Sequence, residues 1–371
     1  MRHSGKKLRA RELGLAFEGK AGNFNAITDV PGVLVGYSTI IEGDGPLRQG
    51  HGPVRTGVTA ILPRGRDKTM RPVWGGFHAL NGNGEVTGVQ WIKHAGHFYG
   101  PVCITNTHSV GAIHEGVTSW MIENYAEDYS EKHVWALPVV GETYDGTLND
   151  INGLHVRPHH ARTAIETAES GPIAEGNVGG GTGMVAYEFK GGTGTASQIV
   201  RLNGKDYTVG VLVQANHGLR DWFTVLGVPV GRHLIADRLR STEQGSIIVV
   251  IATDIPMLPH QLERVAQRGS IGIGRNGTPG GNNSGDMFLA FSTANEVTRD
   301  DFINAPRRME CVPDEWFDPI YLATVRAVDE AIVNAMLAAE DMETLKPAGK
   351  ICRAIDQAAL VEILAQYGRM A

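Results

Sequence analysis

The sequence predicts an α/β protein in which stacked sheets are flanked by helices. Short runs rich in β-branched residues end at Gly, Pro or Asn, as strands do. Longer stretches repeat apolar residues at helical spacing. Gly occurs 48 times in 371 residues, roughly twice the ordinary share. These glycines cluster between apolar runs, so they predict tight turns and close backbone approaches rather than disorder.

In chain order, residues 33–41 form the first expected strand, entered through Pro31-Gly32. Strands follow at 58–62, closed by Pro63, and at 102–105, between Pro101 and Asn106. A helix is expected at 111–125, a strand at 134–140 ending at Gly141, and a helix at 159–169. The Gly-rich stretch 171–195 reads as a loop, not a domain boundary, because apolar strands resume on both sides. Strands at 207–214, 247–253 and 287–292 and helices at 259–268, 319–339 and 356–367 complete the set. Pro259 and Pro319 suit a first helical position, and Asp356 is an N-cap. Ile320, Val325, Val328, Ile332 and Met336 share one helical face, which must pack on something apolar within or between subunits.

Apolar content of 42% and charged content of 20% are those of a globular chain with a large core. Lys+Arg 34 against Asp+Glu 40 gives a formal charge of -6, and no basic cluster is interleaved with aromatics. Nucleic acid is therefore not an expected partner. No apolar stretch reaches membrane-spanning length, so no membrane is expected either. The basic start (Arg2, Lys6, Lys7, Arg9, Arg11) runs into Glu12–Glu18 without the apolar core of a signal peptide. Cys103, Cys311 and Cys352 are too few and too scattered for zinc or a disulfide framework. A reducing, cytoplasmic compartment is the expectation.

The chemistry concentrates at strand ends. Gly245-Ser246 stands just before Ile247-Ile248-Val249-Val250-Ile251-Ala252, the layout of enzymes that cut their own backbone. Glycine admits the strained geometry of self-attack, and serine supplies the oxygen. After such a cut Ser246 carries a hydroxyl and a free α-amine, whose pKa of roughly 7.7–8.0 suits a base for its own side chain. The plain alternative is a Gly-Ser loop. Ser284 and Asp286 lie two apart and share a side on extended backbone, as a relay to a second serine requires. Asn-Asn-Ser-Gly-Asp is also ordinary turn chemistry. Asn216, ending the run Val211-Leu212-Val213-Gln214-Ala215, can aim a neutral amide at an oxyanion or simply cap the strand. Glu142 and Tyr144 follow Val139-Val140-Gly141 and share a side, where a carboxylate can pair with a substrate ammonium and a phenol can donate to an oxyanion; the plain alternative is that Glu142 is a solvated surface charge.

Taken together these segments resemble the L-aminopeptidase/D-esterase (DmpA) family, which includes the β-peptidyl aminopeptidases. The resemblance is carried by Asn25-Ala26-Ile27-Thr28-Asp29-Val30-Pro31-Gly32-Val33, Thr105-Asn106-Thr107-His108-Ser109-Val110-Gly111 and Gly141-Glu142-Thr143-Tyr144-Asp145-Gly146. It continues through Val178-Gly179-Gly180-Gly181-Thr182-Gly183-Met184, Ala215-Asn216-His217-Gly218 and Gly245-Ser246-Ile247-Ile248. The block from Gly272 through Pro279-Gly280-Gly281-Asn282-Asn283-Ser284-Gly285-Asp286 is the most specific. The resemblance implies a four-layer α/β/β/α sandwich, similar to N-terminal-nucleophile hydrolases but with different connectivity. It implies one structural domain that cleaves itself between Gly245 and Ser246, into an α chain of residues 1–245 and a β chain of residues 246–371.

By carry-over Ser246 is the nucleophile of an aminopeptidase acting through an acyl-enzyme, and Ser284 with Asp286 supports it. Asn216 and Tyr144 stabilise the oxyanion, and Glu142 holds the substrate amine. Trp135 is expected among the cleft residues that set specificity. Some members carry Glu where this chain has Asp286. The implied substrates are small peptides, amides or esters with a free amine, of the L-α-amino, D-alanyl or β-amino type. No cofactor is implied, and relatives are homo-oligomers of αβ units, often tetramers. Proton transfer is open between the Ser246 α-amine and the Ser284 hydroxyl. The alternative is a self-cleaving acyltransferase resembling ornithine acetyltransferases, which cut before threonine. A non-catalytic binding module built on the Gly-rich loops is the remaining class.

Three motifs point elsewhere and are set aside. Gly272-Ile273-Gly274-Arg275-Asn276-Gly277 fits G-x-G-x-x-G, but a helical run precedes it and Thr-Pro-Gly-Gly follows, which no dinucleotide site does. Gly179-Gly180-Gly181-Thr182-Gly183 resembles the phosphate loop of tubulin-like GTPases without the rest of that constellation. His155 and His159 have the spacing of a helical metal pair, but Pro158 stands between them and no metal is expected.

Overall fold

The computed structural model describes residues 7–371; Arg2 and Lys6 of the basic start lie outside them. Strands β1 (Leu34–Glu42), β2 (Val54–Leu62) and β3 (Val73–Ala79) come first, then helix α1 (Val89–Ala95) and the short β4 (His97–Phe98). Strand β5 (Val102–Asn106) leads into α2 (Val110–Asn124), and β6 (Val139–Thr143) precedes α3 (Pro158–Glu166). The hairpin β7 (Gly192–Leu202) and β8 (Lys205–Asn216) is followed by β9 (Ser246–Thr253). Helix α4 (Pro259–Arg275), β10 (Gly285–Ser292), α5 (Phe317–Leu337) and α6 (Gln357–Gln366) finish the framework.

One sheet has four strands in the order β1-β2-β5-β6, and the other has six in the order β4-β3-β10-β9-β8-β7. The two pack face to face. The period-2 alternation of β9 shows how the layers form. Ile248, Val250 and Ala252 enter the core between the sheets with Ile61, Ile104 and Val139. Ile247, Val249 and Ile251 face the other way, into a core with Leu262 and Val265 of α4 and Val328 and Ile332 of α5. On the far side Val58, Cys103 and Val140 of the four-stranded sheet pack on Ile113 and Val117 of α2 and Ile165 of α3. The result is the four-layer α/β/β/α sandwich.

Several expectations need correction. Residues 171–195 are not one loop, because β7 begins at Gly192. A Cβ on Gly194 would lie 2.1 Å from the Ala331 carbonyl oxygen, so the glycines that hide this strand let α5 lie directly on it. Strand β3 is masked in the same way. Within Val73-Trp74-Gly75-Gly76-Phe77, a Cβ on Gly76 would come 2.1 Å from the Glu263 amide of α4. The strand expected at 134–140 starts only at Val139, since Pro138 has no N–H for a ladder. Pro319 is the third residue of α5, not the first, and still falls in the first turn, whose N–H groups lack helical acceptors. The α5 stripe of Ile320, Val328, Ile332 and Met336 is buried within this subunit. Asp356 caps α6 as expected, its carboxylate accepting from the Ala358 and Ala359 amides.

Candidate active site

Ser246 is the first residue of β9, a central strand, and pairs with Asn216 at the end of β8 and with Gly285 at the start of β10. The parallel β9–β10 pairing brings Ser246 and the Ser284–Asp286 segment to one edge of the sheet. The Ser246 hydroxyl donates to the Gly245 carbonyl oxygen at 2.8 Å and accepts from the Gly285 amide at 3.1 Å. The oxygen therefore sits against the carbonyl of the peptide bond that joins it to Gly245. Its neighbourhood is dry, for Ser246 is 6% exposed.

Ser284 and Asp286 do share a side. The Ser284 hydroxyl donates to Asp286 Oδ1 at 2.6 Å. Asp286 Oδ2 accepts from Asn81 Nδ2 at 3.2 Å, and the Asp286 amide donates to Asn81 Oδ1 at 2.7 Å. Burial pushes the Asp286 carboxyl up to about 6, against the lowering effect of the Ser284 and Asn81 hydrogen bonds. Sequence reading passed over Asn81. Its only signal is an Asn-Gly-Asn-Gly stretch, which is also what any exposed turn displays.

Asn216 is 2% exposed and tied down at both ends of its amide. Oδ1 accepts from the Val185 amide at 2.8 Å, and Nδ2 donates to the Tyr144 carbonyl at 2.9 Å. One Nδ2 proton is thus used for positioning, and the second remains for another acceptor. The Tyr144 side chain is 39% exposed, with its phenol oxygen over Gly146. The Tyr144 backbone, not only its ring, belongs to the nucleophile's surroundings.

Glu142 is buried at 4% exposure. Oε1 accepts from the Glu85 amide at 2.9 Å, and Oε2 accepts from the Thr107 hydroxyl. Burial raises its proton affinity above the ordinary carboxylate range, and these two donors offset part of that rise. Among the described residues no Lys or Arg forms an ion pair with it, and the only favourable charge acting on it is that of nearby His108. Gly84 separates Glu142 from the start of β10, the strand paired with that of Ser246: a Cβ there would lie 3.2 Å from Glu142 Oε1 and 3.4 Å from Gly285 Cα. The loop after β3, carrying Asn81, Gly84 and Glu85, therefore links the acid to the Ser284–Asp286 edge.

Trp135 is not brought to this site. It lines an aromatic cavity of about 350 Å³ with Trp91, His97, Phe98, Tyr99 and Phe302. Phe98 pairs with Val73, at the opposite end of β3 from Ala79, whose partner Met287 lies near Gly285. The cavity is thus at the other end of the sheet from Ser246. Trp135 lies there because its stretch precedes β6, whereas Glu142 is at the strand's exit. Elsewhere, His155 lies before α3 and bonds Asp150 at 2.9 Å. Among the described residues no cluster of three His, Cys, Asp or Glu side chains is arranged to hold a metal ion.

A buried serine at a central strand edge, a buried hydroxyl–carboxylate pair beside it and a second buried acid, set at one edge of a four-layer sandwich, make a site suited to hydrolysis. Residues 25–348 match the model of peptidase family S58, and the chain belongs to that family. It is 49% identical over 378 residues to a β-peptidyl aminopeptidase, BapA, of Sphingosinicella microcystinivorans, covering 98% of this chain and 93% of that one. The L-aminopeptidase D-Ala-esterase/amidase of Ochrobactrum anthropi, described as a variant of the Ntn hydrolase fold, superposes with a TM-score of 0.93 at 55% identity. That match covers 98% of this chain and 99% of the other. A β-aminopeptidase of a Burkholderia species gives a TM-score of 0.87 at 43% identity, over 97% and 99% of the two chains. The protein is an aminopeptidase, and the acyltransferase alternative is not favoured.

Proposed function

We propose that the chain cuts itself between Gly245 and Ser246 and then works as an N-terminal serine aminopeptidase. The contact that carries this reading is the Ser246 hydroxyl held between the Gly245 carbonyl and the Gly285 amide. The cut leaves an α chain of residues 1–245 and a β chain of residues 246–371. In turnover the Ser246 α-amine or the Ser284 hydroxyl, backed by Asp286, takes the nucleophile's proton. Ser246 Oγ bonds to the substrate carbonyl carbon. The free Nδ2 proton of Asn216 and the Tyr144 phenol serve the oxyanion, and Glu142 takes the substrate ammonium as its ion-pair partner. The amine leaves with a proton, and water releases the acyl group from Ser246.

The substrates are small peptides, amides and esters with a free amine. The relatives' names favour β-amino, L-α-amino and D-alanyl residues at that amine, and hydrolysis of a panel of such N-terminal amides ranks the three. Cys103, Cys311 and Cys352 are free thiols, which supports a reducing, cytoplasmic setting. Among the described residues no helix is long and apolar enough to cross a membrane. We further propose that αβ units assemble into a homo-oligomer, which native mass measurement tests. For the central reading, denaturing electrophoresis and mass spectrometry of purified protein should show two chains. An unbroken, fully active polypeptide would reject it.

A further inference from the structure

Glu243 is the buried residue of an otherwise exposed approach to the cut: Thr242 and Gln244 face solvent, whereas Glu243 and Gly245 are buried. Its Oε1 accepts from the Gly245 amide at 2.8 Å. Its side chain lies on the Gly281 backbone, in the loop leading to Ser284, since a Cβ on Gly281 would be 2.7 Å from Glu243 Cγ. Its Oε2 is buried without a hydrogen-bond partner among the described residues, and the Arg240 guanidinium stands 3.9 Å from Oε1. A half-satisfied buried carboxylate costs a fold stability. Pairing with the buried Arg240 accounts for an acid here, but not for its Oε1 being bonded to the Gly245 amide.

We infer that Glu243 is a positioning residue for chain cleavage alone, fixing Gly245 against Ser246 until the bond is cut, an inference that rests on the self-processing reading above. Gly245 has the greatest backbone freedom of any residue type, so its carbonyl must be aimed from outside. Glu243 restrains it from one side through the amide, and the Asn216 carbonyl does so from the other. In the step itself a bond forms between Ser246 Oγ and the Gly245 carbonyl carbon, and the bond from that carbon to the Ser246 nitrogen breaks. The hydroxyl proton passes to that nitrogen, which becomes the free α-amine. Water then hydrolyses the ester, leaving a carboxylic acid on Gly245 and restoring the Ser246 hydroxyl. Glu243 now stands two residues from a chain end that is no longer bonded to β9. In turnover it touches no reacting atom; its charge only adds to the upward shift of the Asp286 carboxyl, so turnover is compared at a pH well above about 6.

The test is the rate at which purified uncut chain becomes two chains, set beside turnover per free Ser246 terminus counted by mass spectrometry. Glu243→Ala is expected to slow conversion by about tenfold or more, the scale of a lost charge-assisted hydrogen bond. Glu243→Gln keeps an acceptor oxygen and should slow it less. Turnover per matured site should stay within about twofold of wild type in both. Conversion at the wild-type rate in both variants overturns the inference, and so does turnover per site falling in step with conversion. A wild-type chain that never cuts is a different result and removes the self-processing reading itself. Melting of the uncut Ser246→Ala chain with and without Glu243→Ala separates misfolding from misplacement; if the alanine variant does not fold, the near-isosteric glutamine variant decides.

Discussion

Ser246 and Gly285 are register partners across two parallel strands, and the Gly285 amide donates to Ser246 Oγ at 3.1 Å. This pairing fixes Ser246 beside the Ser284–Asp286 segment. The strand that begins at Ser246 and the strand that begins at Gly285 start level, so Ser284 and Asp286 flank Gly285, the residue whose N–H holds the nucleophile. Ladder geometry, not loop flexibility, sets the distance between them.

Ser246→Ala removes the attacking oxygen while leaving β9 and its pairings in place. The expected outcome is a single uncut chain with no aminopeptidase activity above background, read on a denaturing gel and with an N-terminal amide substrate. Cleavage persisting in this variant would place the cut, and the nucleophile, elsewhere.

Gly245→Ala tests geometry rather than chemistry. The added Cβ would lie 1.8 Å from the Asn216 carbonyl oxygen, so the chain must move at the peptide bond to be cut. A displacement of ~1 Å in a reacting pair costs on the order of 10²-fold in rate. Precursor conversion should slow by about that factor, measured by time-resolved electrophoresis.

Glu142→Gln keeps the hydrogen-bonding shape and removes the charge that awaits an ammonium. Loss of one partner of a buried charge pair costs about 2–5 kcal/mol. For free-amine substrates kcat/KM should fall by roughly 10²-fold or more, the lower part of that range. An N-acetylated substrate, already turned over weakly by the unchanged chain because it lacks the ammonium, should lose little more in the variant. An equal fall for both classes would mean Glu142 supports the fold instead.

Much of this was legible from residues alone, and the gaps have physical causes. Six of the seven expected strands and four of the five helices lie where apolar periodicity and their Gly, Pro and Asn boundaries put them, to within a few residues, and the fifth helix, expected at 259–268, runs on to Arg275. Among the strands not foreseen, β3 and β7 are those whose glycines admit a helix backbone, so the residues that permit the packing erase the strand signal; others, such as the two-residue β4, are too short to show a pattern. At the site, Ser246, Ser284, Asp286, Asn216 and Glu142 are strand-end residues and were visible as such. Asn81, Thr107 and the Glu85 amide were not, since they act on their partners from distant loops by hydrogen bonds that no local pattern encodes. Trp135 lies at the other end of the sheet because its stretch precedes β6, a placement that the sequence around it does not encode.

Asn81 offers the sharpest test of the relay, because it touches Asp286 and not Ser246. The Asp286 carboxyl, raised by burial to about 6, must be ionised to draw proton density from the Ser284 hydroxyl it accepts. Turnover should therefore fall as pH drops through about 6 and be retained above it. Asn81→Ala removes a donor that favours the ionised form, so the acid limb should move to higher pH. At a pH well above that limb kcat should recover most of its value, with a residual loss of about tenfold or less from poorer alignment. An acid limb that stays in place in Asn81→Ala would detach Asp286 from the proton path and leave the Ser246 α-amine as the sole base.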